Sequence, residues 1–498
     1  MLRKKYTPNF SDEQLAVITV DDQFKILFVI AYAGAGKTTV LVEHTLRRMR
    51  TKFLYLAFNK SIASEADSKF KDNTTVMTIH SLAYRAVGRF FQHKMADNLT
   101  PGQISDFVAS ITNHKEGALY MFSYACVRTL NNYMANAEID ISGDHINEDD
   151  LDFIYNISSV DEVLDVCTTL WNIMCDANDD RVKMVHDGYL KLYQLTDPLL
   201  DYDCILVDEA QDSNPVILYI LSRQRARLIM VGDPHQSIYA FRGAVNAFSM
   251  LEPSKVLYLT ASWRFGTNVA RIANEVLARK AIKVPPVRGL GEDFIVDQDE
   301  LIYGREPYMD ISRSAVGLFS VMAETERLLA ESSMAKDYHF VGGVNGYDFD
   351  RFVCAYNLYT NQLNKIRSPD LKMFGSWGDM KRTAEMSNNP QLITMVNIVE
   401  RYRKSILGMV YSFKNRHEKA SNADIFLTSC HKSKGLEHNN IIVRPDFERR
   451  GRISPCDGSP ESIALDQELN ALYVASTRAQ KRIAIARSPL RDSFEWLN

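Results

Sequence analysis

The chain has 498 residues, 46% of them hydrophobic and 24% charged, with a formal net charge of −4 at pH 7. Because one domain takes about 150 residues, this length predicts a globular protein of several domains. The pI near 6.3 excludes an overall basic surface, so any nucleic acid would have to bind in a local groove.

The amino-terminal stretch MLRKKYTPNFSDEQ is basic but lacks the apolar segment of a signal peptide. No apolar run approaches the ~18 residues of a membrane helix, which argues against a membrane partner. Seven cysteines are scattered without a CxxC pair, a pattern that favours reduced thiols and disfavours a zinc site. We therefore expect a cytoplasmic protein, or a nuclear one if its source is eukaryotic.

Short apolar runs alternate with helical segments at both ends of the chain. The runs FKILFVIA, KFLYLAF, TTVMTI, DCILVDEA and ARLIMVGD predict strands of a parallel α/β sheet covered by helices. Residues 91–200 are helical and polar and predict an insertion. The Pro/Gly-rich KVPPVRGLGEDF predicts a linker, after which PYMDISRSAVGLF restarts the β–α pattern and residues 330–420 form a second mixed stretch.

The first strand runs into AYAGAGKT, a candidate phosphate-binding loop. Gly34 and Gly36 allow a tight turn whose backbone approaches phosphate oxygens. Lys37 would reach the β- and γ-phosphates, and the Thr38 hydroxyl would bind Mg²⁺. The strict motif has glycine where this chain has Ala31, so a glycine-rich turn without a ligand is the alternative.

A later apolar strand in CILVDEAQD ends in two adjacent carboxylates. Asp208 is predicted to hold Mg²⁺, as the second-strand aspartate does in phosphate-loop enzymes. Glu209 would then orient and deprotonate an attacking water. Solvated acids at a strand end are the alternative, which the upstream loop disfavours.

The stretch VGDPHQSIYAFRGA combines a polar sensor with aromatic side chains. Gln236 would detect a γ-phosphate, and Tyr239, Phe241 and Arg242 would form a stacking platform for single-stranded bases. The i, i+2 spacing of Tyr239 and Phe241 also fits burial on one strand face, so core packing remains open.

In chain order, FSDEQ, AYAGAGKTT, TIHSLAYR, LVDEAQD, VGDPHQSIYAFRGA, LTASWRFG, TSCHKSKGLEHNNIIV and LYVASTRAQ resemble the motifs of UvrD/Rep/PcrA-type superfamily 1 helicases. AFNKSIA, SWRFG and FVGGVNGYDFDRF are most similar to the F-box DNA helicase branch. The resemblance implies two RecA-like motor domains that bind ATP and Mg²⁺ between them. It assigns residues 1–90 and 201–280 to the first domain, 281–329 and 421–498 to the second, and 91–200 and 330–420 to accessory insertions.

The resemblance also implies the second face of the nucleotide site. Trp263 matches an aromatic residue that stacks on adenine, although most of the group has tyrosine there. Arg264 matches an arginine that contacts the γ-phosphate, and Arg478 matches the arginine finger. Glu437 matches a contact to the nucleotide sugar, after the turn at Gly435.

The resemblance also predicts roles for residues in two further motifs. Gln14 matches an adenine-reading glutamine, although with Ser11 it also forms an S-x-x-Q capping box, and one side chain is not expected to do both. Thr78 and His80 match an element that lies along the DNA strand, and Phe58 to Lys60 could do the same.

The resemblance therefore predicts an ATP-dependent DNA helicase or translocase that moves 3′-to-5′ on single-stranded DNA. Single-strand/double-strand junctions are its expected substrates, and replication, repair or recombination proteins are its possible partners. Two alternatives stay open at this point: a translocase that strips proteins from DNA, and a nucleotide-gated DNA-binding switch.

Overall fold

In a computed structural model the chain divides into two compact units. The first consists of Met1–Leu82, Asp197–Ile311 and Ser433–Asn498, and the second of Ala83–Thr196 and Ser312–Lys432. Within these segments the structure describes residues 10–486 apart from 115, 240–246, 281–283, 315–316, 323–324, 326–335, 387–388, 416–422 and 448–459.

The first unit contains a six-stranded parallel sheet. Its strands are β1 (Ile26–Ala31), β2 (Phe53–Ala57), β3 (Thr74–Thr78), β6 (Cys204–Val207), β7 (Arg227–Gly232) and β8 (Lys255–Leu259). Their order is β3-β2-β6-β7-β1-β8, and every neighbouring pair is parallel. All six strands therefore end at one edge, where ligands of open α/β sheets usually bind.

The central strands are apolar along their whole length rather than alternating. All five residues of β2 and all four of β6 are buried. This pattern is typical of parallel strands that helices cover on both faces. One face packs with the helices Asp12–Ile18 and Lys37–Leu46 into a core that includes Val17, Leu41 and Phe70.

A second set of parallel strands lies in the same unit, formed by β11 (Phe294–Ile295), β12 (Tyr308–Ser312), β15 (His438–Val443) and β16 (Ala479–Ile485). Their order is β11-β16-β15-β12. A buried ion pair joins β12 to the end of β15, since the Arg444 guanidinium donates two hydrogen bonds to Asp310 through Nε and one through Nη2. The short strands β9 (Ala261–Ser262) and β10 (Arg288–Gly289) also pair in parallel.

The remaining elements of the first unit are helical. Its α-helices are Asp12–Ile18, Lys37–Leu46, Lys60–Asp67, Ile79–Ala86 (which runs past the unit boundary), Pro215–Ser222, Ala247–Met250, Thr267–Leu277, Gln298–Ile302 and Pro460–Ser476. Single 3₁₀ turns occupy Ala210–Asp212, Pro234–Gln236 and Pro445–Phe447.

The second unit is mainly helical. Its α-helices are Pro101–Ile111, Glu116–Ala135, Glu148–Ile157, Val160–Cys175, His186–Leu195, Phe349–Tyr359, Pro369–Lys372, Trp377–Met386, Pro390–Tyr402, Ser405–Asn415 and, at its boundary, Cys430–Ser433. Its 3₁₀ turns are Gly88–Lys94, Gly143–His145, Val344–Tyr347 and Leu363–Lys365. Its strands pair in parallel, β4 (Met95–Ala96) with β5 (Met184–Val185) and β13 (Tyr338–Phe340) with β14 (Ile425–Ser429).

The two segments of the second unit pack on each other. The Tyr120 and Phe374 rings lie 5.0 Å apart, and the Gly102 N–H donates to Asp370 at 3.3 Å. The α/β class with parallel sheets flanked by helices is confirmed, whereas the domain limits given by the resemblance stay a prediction. Among the described residues, no helix is both long and apolar enough to cross a membrane.

Candidate functional site

The loop between β1 and the helix Lys37–Leu46 has the backbone geometry of an anion cradle. Gly34 has φ 74°, and a Cβ atom there would lie 2.6 Å from both Arg264 Cβ and Ser262 Oγ. The loop therefore requires glycine on both conformational and steric grounds. Amide groups at the start of a helix point toward the place where a phosphate would bind.

The carboxylates that follow β6 face the lysine of this loop. Lys37 Nζ lies 2.9 Å from Glu209 Oε1. Burial acts to raise the pKa of Glu209, but the positive charges of Lys37 and Lys434 outweigh it and bring that pKa to about 2. Glu209 has φ 51°, a left-handed conformation that disfavours side chains with a Cβ. It is thus held ionised at a strained turn.

Asp208 is bound from two sides at the end of β6. Its Oδ1 accepts the Glu209 N–H at 3.0 Å, and its Oδ2 accepts the Tyr55 hydroxyl. Burial and the neighbouring Glu209 raise the pKa of this carboxyl. Nearby negative charge therefore favours a cation at Asp208.

Gln211 links these carboxylates to the next strand. Its amide nitrogen donates to Glu209 at 2.6 Å, and its amide oxygen accepts the Asp233 N–H at 3.0 Å. A Cβ at Gly232 would lie only 2.1 Å from that oxygen, so the absence of a side chain there admits the amide. Gln211 is fully buried and so fixes the turn after β6 against the turn after β7.

The 3₁₀ turn after β7 is held by residues from the end of the chain. Gln236 donates to Asp233 at 2.8 Å and accepts from Arg478 Nη2 at 3.2 Å. The Tyr473 hydroxyl also donates to Asp233, at 3.0 Å. Arg478 is only 1% exposed, which fixes its guanidinium beside Gln236.

A second arginine approaches the loop from the strand pair that contains β9. Arg264 Nε donates to Glu437 at 2.7 Å, and its Nη1 donates to the Thr477 carbonyl at 3.1 Å. The adjacent Trp263 binds the loop through its backbone, whose N–H donates to the Gly34 carbonyl at 3.0 Å. Its indole is 55% exposed, so a flat ligand could stack on it.

Lys434 forms another buried contact beside the cleft. Its ammonium group donates to Asp212 Oδ2 and to the Gln236 carbonyl, both at 2.5 Å. Burial raises the pKa of Asp212 to about 6, and Lys434 opposes that rise. The pair ties the turn after β6 to the stretch that carries Gly435 and Glu437.

Most of the residues expected to contact the nucleotide line one cleft of about 260 Å³. The cleft is lined by Ala33, Gly34, Lys37, Thr38, Ile62, Glu65, Ala66, Lys69, Asp208, Glu209, Gln236, Arg264, Gly435 and Arg478. Residues far apart in the chain thus meet at the ends of parallel strands.

Gln14 forms the capping contact, which is one of the two roles that the sequence left open, and its adenine contact stays a prediction. Ser11 and Gln14 form the complete capping box at the start of Asp12–Ile18. The Gln14 amide nitrogen also donates to the Ala35 carbonyl at 3.2 Å. The capping role therefore leaves this amide beside the phosphate loop.

Of the predicted stacking platform, the structure describes Tyr239. The Tyr239 ring stacks on Phe58 with centroids 5.7 Å apart and an interplanar angle of 16°, and Lys434 Nζ lies 5.1 Å from the Tyr239 centroid. Phe58 is 40% exposed and Tyr239 half-buried, so the pair reaches the surface. Phe241 and Arg242 lie outside the described residues.

The other residues expected on the DNA path begin the helix Ile79–Ala86. Thr78 is buried, and its hydroxyl accepts the Ser81 N–H at 3.0 Å, which is the contact of an N-cap. His80 is half-buried in the first turn. This geometry gives Thr78 a structural role and leaves a DNA contact at either residue as a prediction.

Sequence reasoning did not identify Tyr55 and Gln211 as site residues. Tyr55 lies within an apolar strand, where a tyrosine normally indicates core packing. Gln211 lies between the acids of DEAQD, and only the fold shows that its side chain turns toward β7.

Fold and site together have the RecA-like architecture of phosphate-loop proteins. Family profiles agree: an AAA domain matches residues 14–242, and a UvrD-like helicase C-terminal domain matches residues 298–488. Together the two matches support a UvrD/Rep/PcrA-type superfamily 1 helicase, and these helicase families imply the use of ATP.

Proteins of similar sequence are named as DNA helicases. F-box DNA helicase 1 of Gallus gallus is 28% identical over 93% of this chain and 47% of its own length. F-box DNA helicase protein 1 of Schizosaccharomyces pombe is 29% identical over 96% of this chain and 57% of its own length. ATP-dependent DNA helicase PcrA of Staphylococcus epidermidis is 31% identical over 30% of this chain and 24% of its own. The chain thus spans about half the length of the two F-box relatives.

Proposed function

We propose that the protein is an ATP-dependent DNA helicase that translocates on single-stranded DNA, in the 3′-to-5′ direction that the family implies. Strand separation requires a junction between single- and double-stranded DNA as the substrate. Such a substrate would be met in the cytoplasm or the nucleus, in replication, repair or recombination.

One observation carries this proposal. Gln236 lines the cleft and binds Arg478, and three residues later Tyr239 stacks on Phe58 at the surface. A single short segment therefore joins a γ-phosphate sensor to an aromatic surface on which bases can stack. Closure or opening of the cleft by nucleotide would then change the grip on the strand.

The residues of the cleft fit a Mg²⁺ ion bound together with ATP. Thr38 offers a hydroxyl and Asp208 a carboxylate, and Mg²⁺ prefers such oxygen ligands. Burial, and after it the charge of Glu209, raise the pKa of Asp208, and a bound cation would offset both effects. Mg²⁺ would neutralise charge on the transferring phosphoryl group.

The remaining residues take roles around the phosphates. Lys37 would exchange Glu209 for the β- and γ-phosphates, which would free Glu209 to accept a proton from the attacking water. Arg478 and Arg264 would stabilise the charge that grows in the transition state. Trp263 would stack on adenine, and Glu437 would contact the sugar. Gln14 would contact adenine only by giving up its capping contact with Ser11.

The ATPase rate with and without single-stranded DNA tests the proposal. We expect strong stimulation by DNA, together with unwinding of a duplex that has a 3′ single-stranded tail. A protein that binds DNA in response to nucleotide without moving would show neither, and an unstimulated ATPase would therefore refute the motor.

Replacing Glu209 with glutamine tests the proposed base. Glu209→Gln should retain ATP binding, because Lys37 and the loop remain, while hydrolysis falls by about 10²–10⁴-fold through the loss of general-base catalysis. Nucleotide affinity by fluorescence and single-turnover hydrolysis measure the two effects. Glu43→Gln, on the helix that follows the loop, is the control and should hydrolyse at the wild-type rate. Normal turnover by Glu209→Gln would rule out this base.

A further inference from the structure

Tyr55 is a buried tyrosine whose hydroxyl contacts Asp208, a residue that lines the cleft. It is the middle residue of β2, it is fully buried, and its ring packs on Phe70 with centroids 4.8 Å apart. This packing fixes the ring, so the position of the hydroxyl is determined by the strand rather than by solvent.

The hydroxyl meets one of the two side chains proposed to bind Mg²⁺. It donates to Asp208 Oδ2. The other Asp208 oxygen is bound by the Glu209 N–H. Each oxygen of Asp208 thus has its own donor, and the carboxylate cannot rotate without breaking both contacts.

We propose that Tyr55 is a positioning residue for the metal ion: it holds Asp208 in the orientation that Mg²⁺ requires. The proposal rests on the metal site proposed above. Groups that hydrogen-bond to metal ligands orient them before the metal arrives, and their loss typically costs 10–100-fold in metal affinity. Tyr55 neither binds the metal nor touches the reacting phosphate in this assignment.

The test is a titration of the full chain with Mn²⁺, followed by electron paramagnetic resonance, in the presence of a non-hydrolysable ATP analogue. Tyr55→Phe removes the hydroxyl and keeps the ring on Phe70. We expect its Mn²⁺ affinity to fall by about 10–100-fold, while its affinity for the metal-free nucleotide stays that of wild type. Tyr133→Phe is the matched control, because it removes another hydroxyl that donates to a backbone carbonyl outside the site, and it should bind Mn²⁺ as wild type does.

Unchanged or tighter Mn²⁺ binding by Tyr55→Phe would overturn the inference. Asp208→Asn separates this failure from a failure of the metal site itself: if wild type and Asp208→Asn bind Mn²⁺ equally, the proposed site is wrong. Melting temperatures identify a folding defect. If Tyr55→Phe does not fold, Tyr55→His, which keeps a ring N–H donor, is compared with Tyr55→Leu, and equal Mn²⁺ affinities of those two would overturn the inference.

Discussion

Phe58 and Tyr239 form a stacked pair in which Phe58 is exposed and Tyr239 is half-buried. Stacking on a base contributes roughly 1–3 kcal/mol, so Phe58→Ala and Tyr239→Ala should each weaken single-strand DNA binding, by up to about a hundredfold at the top of that range. Fluorescence anisotropy with a labelled oligonucleotide measures the loss. Tyr258→Ala, at an exposed tyrosine of β8, should leave DNA affinity unchanged.

Core packing predicts a different result for the same two variants. If the rings served mainly to stabilise the fold, both variants would melt well below wild type, and DNA affinity would fall only in proportion to the unfolded fraction. Melting temperatures near wild type, combined with weak DNA binding, would instead support a surface on which bases stack.

In the second unit the buried Lys191 binds backbone carbonyls just after the end of a long helix. Lys191 donates to the carbonyls of Asn136 and Glu138, just beyond Glu116–Ala135. Lys191→Met keeps the aliphatic stem but leaves both carbonyls without this donor, which should cost about 1–3 kcal/mol. Thermal unfolding followed by circular dichroism should show a lower melting temperature, whereas Lys372→Met at an exposed lysine should not.

The same lysine gives a prediction for pH. Burial lowers the pKa of Lys191 to about 8 in the folded protein, against about 10.4 in an unfolded chain. Between these values unfolding takes up a proton, so the free energy of unfolding should rise with pH by up to about 1.4 kcal/mol per unit. Below pH 8 Lys191 is protonated in both states, so the free energy of unfolding should not rise with pH through this group. Lys191→Met should lack the rise, and equal slopes for both proteins would contradict it.

At the scale of the whole molecule, the first unit builds one site from both of its sets of strands. Arg478 follows Pro460–Ser476 and reaches Gln236 after β7. Because the charge that Arg478 is proposed to stabilise grows in the transition state, Arg478→Ala should lower kcat by about 10³-fold or more. Steady-state ATPase assays should show KM changing far less. Arg223→Ala removes an exposed arginine of the same unit and should retain activity, and a pure rise in KM for Arg478→Ala would exclude the finger role.

The sequence by itself determined the parallel α/β class and most of the cleft. Gly34, Lys37, Asp208 and Gln236 could be predicted locally, because each follows a continuous apolar strand. Their spacing is set by the turn or strand end that each residue occupies. The order of motifs along the chain then placed Arg264 and Arg478 with them, which no local pattern could have done.

Only the tertiary structure decided which side chains support the site. Tyr55 is a core residue by its strand pattern, and pairing of β2 with β6 brings its hydroxyl to Asp208. Gln211 reaches Asp233 because β6 and β7 are neighbours. Strand order depends on packing between segments that are distant in sequence, and the local pattern of residues does not predict such contacts.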